Sequence, residues 1–482
     1  SQVARYAKLG MNMLRVWGGG LFETEEFYDA CDRHGIMVWQ DFPYACGYYP
    51  DDEPAQAVAR AEAEHHIKRL RDRACHVLWC GNNENRSMYY GQWPGPGTQV
   101  PRFYGNTLYD EVLKAAVEAG DPGKPYTESS PLLAKGMPGI DKPTVHSDDH
   151  YWDVWHGRGD WNFYRESDTR FSSEFGFASS CSNAAWQQVT KRSVNQNDPI
   201  VRWHDKTNKG WDTFRGMVEL HYPPAKSLAD WIYTSQLNQR DAMACAIEHY
   251  RANPACRGAL IWQINDCWPV QSWALEDYHR QVKPAGFELH RLYAPVLISV
   301  LREDDAVEIT VSNDGQEQLK SKLSATFFDT VTGQEVQRAA FEVALAPDSR
   351  GVVGRISTTN FDSTRTACRV SLAGLPQADR WLLLCEPKQA KFGDVKVSVS
   401  EVEGRLLIET EGFVFDLVVL CDGTKPCVTD ASLHLEGTRA YTGANLRVSL
   451  PLVRPVGALT VRSLAGIHSG PAKLAAINGQ LV

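Results

Sequence analysis

Glu84 and Glu174 stand where short apolar runs give way to loops. Val77-Leu78-Trp79-Cys80 leads into Gly81-Asn82-Asn83-Glu84-Asn85, and Arg170-Phe171-Ser172-Ser173 leads into Glu174-Phe175-Gly176. Two carboxyl groups facing one gap suit the cleavage of a glycosidic bond, in which one acid protonates the leaving oxygen and the other attacks carbon or water. A glutamate at a strand end is more often a surface or ion-paired residue, so this reading requires the two to meet in space. Glu128, in Thr127-Glu128-Ser129, is a competing acid in a similar setting. His146 and His150 flank Asp148-Asp149. A polar strand end in a sugar cleft accounts for them without a metal.

The acids need a scaffold that brings distant loops together. Up to about residue 293, short apolar runs alternate with helical stretches: 13–17, 36–41, 76–80, 126–129, 145–151, 170–175 and 258–263 read as strands. The segments 25–34, 54–73, 103–119 and 226–253 read as helices. Strand followed by helix, repeated, implies a parallel sheet. Polar and aromatic residues at the strand ends fit an α/β fold of the (β/α) barrel type, where the site is assembled at the C-terminal ends of the strands. Such a barrel has eight strands and the sequence supplies seven, so a first strand is expected to be missing and the chain to begin inside the barrel. Only Trp381 of the fifteen tryptophans lies after residue 293. There the texture changes to alternating strands and turns, as in Ala306-Val307-Glu308-Ile309-Thr310-Val311-Ser312 before Asn313-Asp314-Gly315. The expected domains are a barrel over 1–293 and two immunoglobulin-like β-sandwiches over 294–390 and 391–482.

Composition narrows the partners. The 482 residues are 43% hydrophobic with a net charge of −9, and no block of basic residues stands out, which argues against nucleic acid or an anionic membrane surface. No apolar run approaches the roughly 18 residues needed to cross a bilayer. The first residue is Ser1, so localisation stays open, as does the oligomeric state. The twelve cysteines show no Cys-x-x-Cys pair or zinc spacing, and no metal or cofactor is implied. Asn85-Arg86-Ser87 is a formal glycosylation sequon, but a glycan beside Glu84 would block the proposed cleft.

Five stretches, in order, resemble the β-mannosidases of glycoside hydrolase family two. They are Asn12-Met13-Leu14-Arg15-Val16-Trp17-Gly18-Gly19-Gly20, Gly35-Ile36-Met37-Val38-Trp39-Gln40-Asp41-Phe42, Gly81-Asn82-Asn83-Glu84-Asn85, Ser173-Glu174-Phe175-Gly176 and Trp262-Gln263-Ile264-Asn265-Asp266-Cys267-Trp268-Pro269. The resemblance implies a retaining exo-glycosidase that removes terminal β-D-mannose from oligosaccharides or glycoconjugates. Glu84 then resembles the general acid/base and Glu174 the nucleophile. Arg15 resembles the arginine that keeps the nucleophile ionised, although a purely structural pairing with Asp41 is its rival role. Asn83 resembles the residue that hydrogen-bonds the sugar 2-hydroxyl, and Tyr151 the tyrosine that contacts the nucleophile. Trp17, Trp262 and Trp268 resemble aromatic walls for a pyranose, with Trp152 and Trp93 as lesser candidates for that role. Two rival functions stand beside this one. The first is another family-two glycosidase, such as a β-glucosaminidase, β-galactosidase or endo-β-mannosidase. The second is an inactive carbohydrate-binding fragment, because no aspartate corresponds to the one the family carries after its first strand.

Overall fold

Val38-Trp39-Gln40-Asp41 is buried at every position, without the alternation of a half-exposed strand. Consecutive burial marks a strand covered on both faces, which is the condition of a parallel sheet between helices. The computed structural model describes residues 2–91, 93, 100–192, 194–422, 439–451 and 458–469. These fall into two compact units.

The first unit comprises Ser1–Trp152, Glu166–Phe175 and Ala255–Ile261. After helix α1 (Gln2–Lys8), strands β1 (Met13–Val16), β2 (Met37–Asp41), β3 (His76–Cys80) and β4 (Tyr126–Thr127) form one parallel sheet in that order. Strands β5 (Asp149–His150), β6 (Ser172–Phe175) and β7 (Ala259–Ile261) form a second parallel set. The crossovers are helical. Helix α2 (Glu25–His34) carries Glu25 and Glu26 in its first turn and Arg33 and His34 in its last, matching its dipole, and ends at Gly35 with φ +67°. Helix α3 (Glu53–Leu70) is capped by Asp52, which accepts from the Ala55 amide, and it buries Ala59, Ala63, Ile67 and Leu70 along one stripe.

Two segments differ from the sequence expectation. The helix expected over 103–119 is a π-turn at Leu108–Val112 followed by the helix Leu113–Gly120. Gly105 at φ +87° donates its amide to Asp51, which holds the preceding residues outside the helix. The strand expected over 145–151 shrinks to the two residues of β5. Its upstream part turns away because Asp148 accepts from the Leu132 amide and from Ser130 and Ser173.

The second unit comprises Asp153–Arg165, Gly176–Pro254 and Trp262–Val482. Its longest element is the 25-residue helix Leu228–Ala252, buried over most of its circumference and capped by Ser227. Later strands are all antiparallel. The sets Val296–Arg302, Ala306–Asn313, Ser349–Ser357 and Leu319–Asp329, Glu335–Leu345, Thr366–Leu372, Arg380–Leu383 contribute to one apolar core that includes Ile298, Val307, Ile309, Leu323, Phe327 and Val370. The sets Lys396–Val402, Arg405–Glu411, Arg447–Pro451 and Phe413–Asp422, Tyr441–Ala444, Ala458–Arg462 share another, with Val399, Leu406, Ile408 and Leu417. Among the described residues no helix is long and apolar enough to cross a membrane.

Candidate active site

Parallel strands end on one side of their sheet, so residues distant in sequence share a neighbourhood. Arg15 lies near the end of β1, Asp41 ends β2, Asn83 and Glu84 follow β3, and Ser130 follows β4. Parallel bridges join Ala45 to Asn83 and Asn83 to Ser130, which carries the pairing beyond the strands proper. In the second set His150 ends β5 and is in register with Glu174 of β6. Glu174 therefore lies inside a strand, not beyond one, and that strand is Ser-Ser-Glu-Phe, polar in three of four positions and fully buried.

The loop carrying Glu84 is fixed by its asparagines. Asn82 donates to the Glu128 carbonyl and accepts from the Asn85 amide and the Ser129 hydroxyl. Asn85 is buried and donates to the Tyr109 hydroxyl, so its sequon is inaccessible in the folded chain. Gly81 is required here, because a Cβ would stand 2.5 Å from the Glu128 carbonyl oxygen. Glu84 itself adopts φ +63°, a conformation that costs a non-glycine residue of order 1 kcal/mol or more and that clusters at functional sites. It immediately precedes the short helix Asn85–Tyr90.

Arg15 is the hub. Its Nη1 donates to Glu174 Oε1 at 2.7 Å, and its Nη2 donates to Asp41 Oδ2 and Asn83 Oδ1, each at 2.8 Å. The pairing with Asp41 and the pairing with Glu174 thus coexist. Asp41 is held in turn by the Trp39 indole at 2.8 Å and the Gly18 amide at 3.0 Å. His150 bridges the two acids: Nδ1 lies 2.7 Å from Glu84 Oε1 and 3.4 Å from Glu174 Oε2. Its Nε2 lies 2.9 Å from Ser130 Oγ. Cys46 Sγ approaches Glu84 Oε2 at 3.4 Å. One reactive atom each from Glu84, His150 and Glu174 fit within 4.8 Å of one another. That triad has the composition of a metal site, yet Arg15 already lies on Glu174 and 3.4 Å from His150 Nε2, so the cluster contains its own counter-cation. We assign no metal to it.

The aromatic residues divide. Trp152 donates its indole N–H to Glu174 Oε2 at 3.1 Å, a polar hold on the carboxylate where the resemblance implied a sugar wall. Tyr151 reaches the same glutamate through its backbone, its amide donating to the Glu174 carbonyl. Trp17 is half-buried just after β1, with its ring folded over Gly19, where any Cβ would collide with it. Trp262 and Trp268 belong to the second unit, where Trp268 packs against His204 at 4.8 Å. Glu128 pairs with Lys114, and His146 is exposed.

Burial raises both carboxyls, but the hydrogen bond and charge of His150 bring Glu84 net below its ordinary value. Glu174 stays net above its own: burial leads, His150 pulls down, the Glu84 charge pushes up and Arg15 pulls down. For His150, burial lowers while the Glu174 and Glu84 charges raise, and the net is upward. The resemblance implies Arg15 holding Glu174 ionised and Glu84 carrying the proton; Arg15 does pull Glu174 down, while burial and the Glu84 charge push it up. The sequence assigns His150 and Asp148 only to a polar strand end in a sugar cleft, and no motif marks Ser130 or Cys46.

No protein-family model matches the chain. The chain is 30% identical over 443 residues to a protein named β-mannosidase B from Aspergillus fumigatus, covering 83% of this chain and 52% of that one. It spans about half the length of the curated relatives it matches. Among solved structures it is similar to a β-D-mannosidase from Dictyoglomus thermophilum, with a TM-score of 0.82 and 26% identity over 98% of this chain and 58% of that one. An exo-chitosanase from Amycolatopsis orientalis shares the fold, with a TM-score of 0.64 and 13% identity over 96% of this chain and 61% of that one.

Proposed function

We propose that this chain, which belongs to the β-mannosidases of glycoside hydrolase family two, carries the active site of a retaining exo-glycosidase that removes terminal non-reducing β-D-mannose from oligosaccharides or glycoconjugates. One observation carries the reading: reactive oxygens of Glu84 and Glu174 lie within 4.8 Å of each other. Retaining pairs stand about 5 to 5.5 Å apart, whereas inverting pairs need roughly 6.5 to 9.5 Å to admit a water. Glu174, gripped by Arg15 and the Trp152 indole, has a fixed aim and acts as the nucleophile. Glu84, on a conformationally strained loop with a histidine at its oxygen, acts as acid and then as base.

In the first displacement a Glu174 oxygen bonds to C1 while the C1–O bond breaks, its electron pair leaving with the oxygen that Glu84 protonates. In the second, Glu84 takes a proton from water, whose oxygen bonds to C1 as Glu174 departs with its pair. Asn83, oriented by Arg15, is suited to the 2-hydroxyl. Trp17 is assigned to packing against the sugar, and Tyr151 to support of Glu174. The scaffold reading is a (β/α) barrel over 1–293 and two β-sandwiches over 294–390 and 391–482. It is supported by the seven parallel strands and by the two antiparallel sheet pairs that share cores.

The test is a panel of aryl β-mannoside, β-glucoside, β-galactoside and β-glucosaminide, followed by Glu174→Ala with azide on the preferred substrate. The expected result is preference for the mannoside, no hydrolysis by the variant, and azide rescue yielding the α-mannosyl azide. Absence of rescue at every azide concentration counts against Glu174 as the nucleophile.

A further inference from the structure

The hydrogen bonds around His150 fix where its protons are. Ser130 has one hydroxyl proton, and it points to Asp148 Oδ2 at 2.7 Å, an oxygen that also accepts from Ser173 at 2.7 Å. Ser130 Oγ therefore has a lone pair to offer the ring, and Nε2, 2.9 Å away, must carry a hydrogen to use it. Arg15 Nη1 also faces this nitrogen and can only donate, but it lies farther off at 3.4 Å and donates to Glu174 Oε1 at 2.7 Å, so the closer Ser130 contact decides the tautomer. With Nε2 occupied, Nδ1 of a neutral ring is a lone pair facing Glu84 Oε1 at 2.7 Å. Two lone pairs do not approach so closely. One proton must lie on that contact, either on Glu84 or on an imidazolium.

We propose that His150 is the proton-holding partner of Glu84: anchored through Nε2–H on Ser130 and Asp148, it shares one proton with the acid/base carboxyl. This role rests on the retaining-glycosidase reading above. The pair gives up its shared proton through the Glu84 carboxyl to the leaving oxygen in the first displacement. It regains one from the attacking water in the second, so the protons balance over the cycle. His150 is thus a positioning residue that sets how far into alkaline pH Glu84 can still act as an acid.

The charged groups facing the ring are Glu84, Glu174 and Arg15, with Asp148 reached through Ser130 and Asp149 next in sequence. Cys46 stands on the far side of Glu84 and Asp41 on the far side of Arg15. Burial lowers the ring's affinity for a proton, the two glutamates raise it and Arg15 lowers it, with a net rise above the ordinary histidine value. Since the shared proton leaves only above that value, the wild-type alkaline limb should lie above the ordinary histidine range. A glutamine at position 150 retains polarity but cannot hold the proton, and the limb should move to lower pH.

The experiment compares wild type with His150→Gln on 2,4-dinitrophenyl β-mannoside, whose leaving group needs no proton, and on an alkyl β-mannoside, whose leaving group does. Circular dichroism establishes that both are folded. The expected result is a loss of about 10²-fold or more at pH 7 on the alkyl substrate. Only a few-fold loss is expected on the dinitrophenyl one, and on the alkyl substrate the alkaline limb should be displaced downward by roughly one pH unit or more. Equal losses on both substrates with an unmoved limb, or no loss at all, overturn the proposal. A second readout is independent of activity. In ¹⁵N spectra at neutral pH the wild-type chain should show one histidine with Nε2–H and a low-field Nδ1 proton that disappears in Glu84→Gln. An unchanged histidine spectrum in Glu84→Gln defeats the shared proton even if the enzyme is active. A wild type inactive on every aryl glycoside defeats the glycosidase reading while this spectrum still tests the contact.

Discussion

Arg15 bonds three partners at once because a guanidinium presents several donors in a fixed plane. A lysine ammonium at the same place cannot span Asp41, Asn83 and Glu174 together. Arg15→Lys is expected to keep the fold but to lower kcat on the order of 10²-fold, comparable with removing one well-aimed electrostatic donor. Steady-state kinetics alongside a thermal melt would check it, and an unchanged kcat would show that the three-way grip is dispensable. A second residue predicts a pH effect on stability. His76 is buried in β3, edge-on to Trp79 at 4.3 Å, and burial, with the nearby Lys124 charge, lowers its pKa to about 4. The unfolded chain binds a proton at this residue near pH 6.5 and the folded chain only near 4. The stability it contributes is therefore complete above about pH 6.5 and is lost as pH falls toward 4, up to about 3 kcal/mol. Chemical denaturation of wild type and His76→Phe at pH 7 and pH 4.5 should show a smaller acid loss in the variant. These features differ in how readable they were. Arg15 stood in a motif, whereas nothing in His-Val-Leu-Trp-Cys marks His76 as buried and neutral.

At the scale of elements, the loop after β3 is held by side chains rather than by regular structure. Asn82 satisfies the Glu128 carbonyl and the Asn85 amide together. Asn82→Ala leaves buried polar groups unpaired at about 1 to 3 kcal/mol. It should also release the strained Glu84 backbone toward an ordinary conformation. Urea unfolding should show the loss, and kcat should fall by more than the change in KM, since the substrate pocket is not itself removed. A drop in stability with kcat intact would separate the loop's packing from its catalytic aim. Elements also show where sequence reading works. Strands such as 37–41 and helices such as 25–34 were legible because apolar spacing, charged first and last turns and Gly35 agree with one another. The two-residue β5 was not, because its neighbouring Asp148 spends its hydrogen bonds on a different strand end. The polar strand β6 carried a motif but no apolar signature, so its register with β5, which places Glu174 beside His150, was invisible.

For the whole molecule, the second unit is tied together by buried charge. Arg240, within the long helix Leu228–Ala252, donates to Asp416 Oδ2 at 2.9 Å, and Tyr233 donates to the Asp416 carbonyl at 2.7 Å. Glu248 of the same helix binds Arg291 and Arg380. Asp416→Ala would leave Arg240 buried with only Asp241, a loss of roughly 3 kcal/mol at the low end of what breaking such pairs costs. A guanidinium titration should register it, and a midpoint unchanged within error would show that Asp241 compensates fully. The Arg240–Asp416 pair joins residues 176 positions apart, and no local pattern announces it. The sequence by itself determined the alternation of strands and helices, the change of texture near residue 293, and the motifs around Arg15, Asn83, Glu84 and Glu174, because propensity and motif are written in neighbouring residues. The tertiary structure alone decided that a histidine bridges the two acids and that Trp152 holds Glu174. Those properties depend on distances and burial between strand ends, and a one-dimensional order of residues does not contain them.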